Sequence, residues 1–167
     1  MKPTLHLRPI HAGDEAFLRR VYASSRAPEI ALTGWDQVTA EVFLRMQFDA
    51  QHHHYRQHYP QARYDIVECD GEPIGRLYVA RAQDEIRVID IALLDAHRGR
   101  GIGSTLLGGL LAEAGARGQR VVLHVEENNP ACALYQRLGF FPAGTQGVYR
   151  RMEWRAPTPA ARVRGAA

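Results

Sequence analysis

The chain has 167 residues, 46% of them hydrophobic and 23% charged, with a formal net charge of +3. That length buries a core without disulfide or metal staples, and the composition excludes a disordered or fibrous chain. Acids and bases are interspersed, so no nucleic-acid partner is indicated. Lys2 is the only lysine among 21 Lys and Arg residues, which excludes a P-loop and favours forked, bidentate contacts over point charges.

Thr4 to Arg8 alternates as a first strand, and Asp14 is placed to cap an amphipathic helix carrying Phe17, Leu18, Val21 and Tyr22. From Trp35 to about Tyr59, the residues Val38, Val42, Phe43, Met46 and Phe48 recur at near-helical spacing and predict one or two helices. Tyr64 to Cys69 and Pro73 to Ala80 read as strands joined by Asp70-Gly71, a dipeptide suited to positive φ in a hairpin turn. Ile86 to Leu94 is apolar on both faces and should be a central strand. A helix from Gly103 to Arg117 follows, with Leu106, Leu107, Leu110, Leu111 and Ala114 as its buried stripe and Gly118 as its stop. Val121 to Glu126 then completes a βαβ unit with parallel strands.

Asn129-Pro130 opens a short helix that closes at Gly139, and a last strand runs from Gly147 to Trp154. The chain thus reads as one domain over residues 1–155, followed by a mobile Ala, Pro and Arg-rich tail over 156–167. There is no apolar run of membrane-spanning length, and the start Met1-Lys2-Pro3-Thr4-Leu5-His6 lacks a signal-peptide core. The expectation is a cytoplasmic protein with no membrane partner. Cys69 and Cys132 lack the paired spacing of a redox or zinc motif, which suits a reduced compartment.

The segment Arg98-Gly99-Arg100-Gly101-Ile102-Gly103 lies between a strand and a helix. Such a turn presents unpaired N–H groups and the positive helix end, forming an anion cradle, and glycine permits both positive φ and close approach of a phosphate. A dinucleotide site would need G-x-G-x-x-G. Counting from Gly99, the third glycine position is Ser104, and counting from Gly101 it is Leu106, so that fingerprint fails.

Arg98 to Gly103 does match R/Q-x-x-G-x-G/A, and Asn128, Ala131, Leu134, Tyr135, Gly139 and Phe140 match N-x-x-A-x-x-L-Y-x-x-x-G-F one strand downstream. Together they make the chain resemble the GCN5-related N-acetyltransferase (GNAT) superfamily over about residues 4–154, most strongly from Ile86 to Phe140. The resemblance implies an α/β fold: a mixed, mostly antiparallel central sheet with a splayed parallel pair of strands and flanking helices. It also implies acetyl-CoA as cosubstrate, with its pyrophosphate on the turn formed by Arg98, Gly99, Arg100, Gly101, Ile102, Gly103 and Ser104. The pantetheine arm would pair with the backbone of Ile91, Ala92 and Leu93 like an added strand, with Asn128 contacting it near the splay.

The acceptor implied is a primary amine of a small molecule, or else of a peptide or protein. A CoA-binding module without catalysis is the alternative of another class. Tyr135 matches the family's general acid, although its stripe Ala131, Leu134, Tyr135, Leu138 is also that of a packed helix. Glu85 and Asp90 are the candidate bases; an odd number apart, they point to opposite faces of a regular strand, so at most one serves. Asp90, between Ile89 and Ile91, either reaches the cleft or meets an arginine. His124 and Glu126 share a face of the next strand and rank behind them. His52, His53, His54 and His58 have no Cys or Glu nearby to complete a site, so no metal is expected. The aromatics Trp35, Phe43, Phe48, Tyr55 and Tyr59 lie in the segment that walls the acceptor pocket in the superfamily or, alternatively, form core. Any oligomer is expected to be a homodimer.

Overall fold

The computed structural model describes residues 2–158; most of the tail expected to be mobile lies outside them. Seven strands form one sheet in the order β1-β2-β3-β4-β5-β7-β6. They are β1 (Leu5–Pro9), β2 (Arg63–Cys69), β3 (Glu72–Arg81), β4 (Glu85–Leu93), β5 (Arg120–Glu126), β6 (Phe141–Gln146) and β7 (Tyr149–Trp154). All pairs are antiparallel except β4 with β5. The helices are α1 (Glu15–Ala31), α2 (Gln37–His58), α3 (Ile102–Arg117) and α4 (Cys132–Arg137).

β4 is the middle strand, as its two-sided apolar character requires. The β2–β3 turn has Asp70 at φ 51° and Gly71 at φ 85°, the positive-φ pair that matches the twist of a two-residue hairpin. On one side of the sheet, α3 buries Ile102, Leu106, Leu107, Leu110, Leu111 and Ala114 in a cluster with Val88, Leu93, Leu123, Val125 and Met152. On the other side, Leu18 and Tyr22 of α1 meet Phe48 of α2 and Ile66 of β2. Gly118, at φ 65°, ends α3 in the left-handed conformation that lets its N–H return to the last turn.

Four expectations change. Asp14 is the residue before α1, but its side chain makes no cap bond to that helix. Its carboxylate instead accepts from the His11 N–H and, over 2.8 and 2.9 Å, from both terminal nitrogens of Arg8; this holds the carboxyl at about 2, below its ordinary 3.8, with the Arg8 bonds as the main cause. Most of the α2 apolar residues do not face core. Phe48 is buried, whereas Val38, Val42 and Met46 are exposed, and Trp35 and Phe43 pack edge to face at the surface. β6 was not anticipated, because Phe141-Pro142-Ala143-Gly144 carries a proline and a glycine that argue against a strand. It survives as an edge strand with a register shift between Pro142 and Gly144.

The fourth change concerns the site. Tyr78 opposes Asp90 while Val79 opposes Val88, so Ile89 is an extra residue in β4. A bulge of this kind reverses the alternation beyond it. Ile86 and Val88 before it, and Ile91 and Leu93 after it, all pack towards α3. Glu85 and Asp90 therefore share the opposite face, contrary to the regular-strand expectation.

Candidate active site

β4 and β5 are paired only from Glu85/Arg120 to Val88/Leu123. Beyond that point β4 continues to pair with β3 as far as Leu93/Gly75, and β5 stays paired with β7, on its other edge from Val121/Trp154, as far as Glu126/Tyr149. The parallel strands thus part at the Ile89 bulge, leaving the facing backbone edges of Ile91, Ala92 and Leu93 and of His124–Glu126 without each other as partners. An extended chain inserted there can take the bonds that a neighbouring strand would have made.

The same end of β4 leads into the glycine turn. Gly99 and Gly101 have φ of 69° and 77°, and a Cβ at either would have nothing within 4 Å. Their conformation and the open space both suit a phosphate resting on the backbone. The first intrahelical bond of α3 runs from the Thr105 N–H to the Gly101 carbonyl at 3.0 Å, so the N–H groups of Ile102, Gly103 and Ser104 precede it and are available to an anion. The first turn carries no acidic residue. Gly103 has another role: a Cβ there would lie 3.3 Å from Leu134 of α4, so its absence lets α4 approach the cradle. Arg98 folds back, donating to the Leu93 carbonyl at 3.0 Å and pinning the strand end, while Arg100 is exposed.

Tyr135 of α4 is 6% exposed and packs edge-on to Phe140 within the cluster that holds Val88, Leu93, Ile102 and Val125. It is both a core residue and a phenol beside the splay. Burial first, and then the negative charge of Asp90, push its pKa up to about 12. Asn128 is exposed in the turn after β5, and its neighbour Asn129 accepts the Ala131 N–H at 2.9 Å. The two candidate bases are both engaged. Asp90 meets the arginine that its burial demands, since Arg76 donates to it from Nε and Nη2 and the Tyr55 hydroxyl donates at 3.0 Å. Glu85 holds Arg87 at 3.1 Å and Arg120 at 3.2 Å, at the closed end of the β4–β5 pair.

On the α1/α2 side of the splay lies a cleft of about 480 Å³, lined by residues of α1, α2, β4, β5, β6 and β7. Val88 and Ile89 of β4 line it beside His124 of β5. Tyr22, Tyr55, Tyr59 and Tyr149 supply phenols, Gln47, Gln51 and Gln146 supply amides, and Arg26 and Arg87 supply positive charge. His124 is the first β5 residue beyond the last β4 pair, and its Nδ1 lies 3.3 Å from Arg87 Nη1. Desolvation, and then Arg87 and Arg151, lower its pKa from 6.5, which favours the neutral ring at pH 7. Of the other histidines, His52 stacks on Phe48 and His54 stacks on His58. Among the described residues, no three His, Cys, Asp or Glu side chains converge as a metal site would require.

The profile of the acetyltransferase (GNAT) family matches residues 30–140, well over half of the chain. The chain belongs to the GNAT family. It is 33% identical over 94 residues to a putative [ribosomal protein bS18]-alanine N-acetyltransferase of Bacillus subtilis, a stretch covering 54% of this chain and 61% of that one. It is 41% identical over 86 residues to the mycothiol acetyltransferase of Corynebacterium glutamicum, covering 49% of this chain and 30% of that one. The chain thus spans less than two thirds of these relatives. In fold it superposes on the PaiA N-acetyltransferase of Thermoplasma acidophilum, solved in complex with coenzyme A, with a TM-score of 0.67 and 17% identity over 92% of this chain and 99% of that one.

Within this GNAT fold, sequence reasoning missed three side chains of consequence. Arg76, Arg87 and Arg26 carry no motif, and the signal that could have found Arg76 was the need of Asp90 for a partner. The other two are placed at the cleft only by tertiary packing.

Proposed function

We propose that the chain is an acetyl-CoA-dependent N-acetyltransferase that acetylates a primary amine of a small molecule by direct attack on the thioester. The observation that carries this reading is the parting of β4 from β5 at Val88/Leu123 immediately before a glycine turn with open amides. The turn from Arg98 to Ser104 would hold the pyrophosphate, and the β4 edge that β5 leaves along Ile91, Ala92 and Leu93, with the Leu93 carbonyl held by Arg98, would pair with the pantetheine arm. Bound this way, acetyl-CoA supplies the activated acyl group. Asn128, exposed in the adjoining turn, is assigned to the same arm.

The acceptor amine reaches the splay from the cleft beyond Ile89. It must shed a proton before its nitrogen attacks the carbonyl carbon. Glu85 and Asp90 have their oxygens committed to arginines, and His124 Nδ1 faces Arg87 Nη1. We therefore assign proton removal to water relayed by neutral His124 once its ring turns the acceptor nitrogen from Arg87 to the cleft. A backbone N–H of β4 near Ile91 polarises the carbonyl oxygen. As the tetrahedral adduct collapses, the C–S bond breaks and Tyr135, neutral at working pH, protonates the departing thiolate.

Similarity to a protein named for a ribosomal-protein alanine favours a peptide amine as the second reading. Release of free thiol from acetyl-CoA in the presence of a panel of small amines and short peptides tests the proposal. Amine-dependent thiol release supports it, whereas acetyl-CoA binding with no transfer to any amine would leave a binding module.

A further inference from the structure

Most amines are cationic at neutral pH, so a cleft that takes a simple amine or a polyamine would be expected to offer carboxylates to the ammonium. This one does not. Among the described residues lining it there is no Asp or Glu, while Arg26, Arg87, His54 and His124 are all present. Asp90 lies behind Tyr55, whose hydroxyl donates to it, and is spent on Arg76.

The positive charge is not fully cancelled by nearby acids. Glu85 is shared by Arg87 and Arg120, so two guanidinium groups divide one carboxylate. On β7, Glu153 is likewise shared by Arg151 and Arg155. Arg26 lies over the Tyr22 ring at 5.6 Å and, among the described residues, pairs with Glu29, whose side chain is 62% exposed, a pair that solvent screens. Desolvation first, and then these same arginines Arg87 and Arg151, lower the His124 pKa against the opposing Glu85, in keeping with a net positive field at the spot where the amine must arrive. A lone cation is repelled there unless it brings its own anion.

We propose that the acceptor is a small zwitterionic amine, whose carboxylate or phosphate is held by Arg87 and Arg26 while its amino group is directed past His124 to the splay. The forked donors of arginine suit either anion. The cleft volume of about 480 Å³ suits a molecule of amino-acid or dipeptide size. This inference rests on the transferase reading and narrows its acceptor.

The test is initial-rate thiol release with matched acceptors: amino acids against their carboxamides, phosphoethanolamine against ethanolamine, and a linear diamine. The anionic member of at least one pair should exceed its neutral counterpart in kcat/KM by about 10-fold or more. Which pair shows the difference tells carboxylate from phosphate. Arg87→Gln should shrink that ratio to about threefold or less, mainly by raising KM for the anionic acceptor. Arg26→Gln, at a half-buried helix position off the sheet, should shrink it as well. Turnover that favours the neutral members or the diamine overturns this inference while leaving the transferase reading intact, and so does a preference that survives both substitutions. Binding of acetyl-CoA without turnover of any acceptor overturns the transferase reading and this inference with it.

Discussion

Arg76 and Asp90 form a buried ion pair, 3% and 13% exposed at their side chains, directly behind the point where β4 leaves β5. The pair does more than neutralise itself. Arg76 also donates to Gln51 of α2 at 2.9 Å, and Asp90 accepts from Tyr55 of the same helix, so it fastens the α2 wall of the cleft to the bulged strand. Removing one partner leaves a buried charge, and Arg76→Ala should lower unfolding free energy by about 3–5 kcal/mol. Urea denaturation reads this directly. An apolar double replacement, Arg76→Met with Asp90→Leu, should recover much of the loss, because the desolvation cost disappears with both charges. Equal instability of single and double variants would show that the pair's charge is not what matters.

Gly75 is constrained by its neighbour rather than by its own φ. A Cβ there would lie 2.3 Å from the Ala92 carbonyl oxygen and 2.7 Å from Leu93 Cδ2. Gly75→Ala must therefore displace the stretch of β4 assigned to the pantetheine arm. We expect a destabilisation of about 1–3 kcal/mol together with weaker acetyl-CoA binding, measured by thermal melting and titration calorimetry. Loss of stability with unchanged affinity would separate this strand from the cofactor.

Tyr135→Phe keeps the ring in the core and removes its proton. Turnover should fall by about 100-fold while KM for acetyl-CoA changes little. Because the phenol is held at about 12 rather than 10, wild-type turnover should not fall through ionisation of Tyr135 as pH approaches 10. Unchanged turnover in the variant would reduce Tyr135 to a packing residue.

His124 predicts the acid side of the pH profile. Its pKa lies below 6.5, so the ring is neutral above that value and becomes protonated, and useless as a base, only as pH falls beneath it. Activity should therefore rise with pH below 6.5 and level off by neutrality, and His124→Gln should remove that limb along with most of the rate. An identical limb in the variant would assign the titration elsewhere.

Much of this architecture was legible in the sequence because it is local. Asp70-Gly71 specifies its turn, the leucine stripe specifies α3, the glycines after Leu94 specify the turn that opens it, and Asn129-Pro130 and Gly139 bracket α4. What escaped was set by pairing between distant segments. No periodicity reveals that Ile89 is an extra residue in β4, since its side chain is as apolar as its neighbours, and the bulge alone puts Glu85 and Asp90 on one face. β6 was hidden because an edge strand tolerates a proline that a central strand would not. The α2 wall of the cleft was obscure for a similar reason: the exposed Val38, Val42 and Met46 resemble a core stripe, while most of the α2 side chains that do face the cleft are polar.

The most direct test of the account is a calorimetric titration of acetyl-CoA, and separately of NAD, into the wild-type chain and into Gly101→Val. A β-branched side chain is strained at φ 77° and intrudes on the open space of the cradle. We predict stoichiometric binding of acetyl-CoA to the wild type, at least about tenfold weaker binding to the variant, and no binding of NAD to either. Binding of NAD in place of acetyl-CoA, or equal acetyl-CoA affinity in the two proteins, would contradict it.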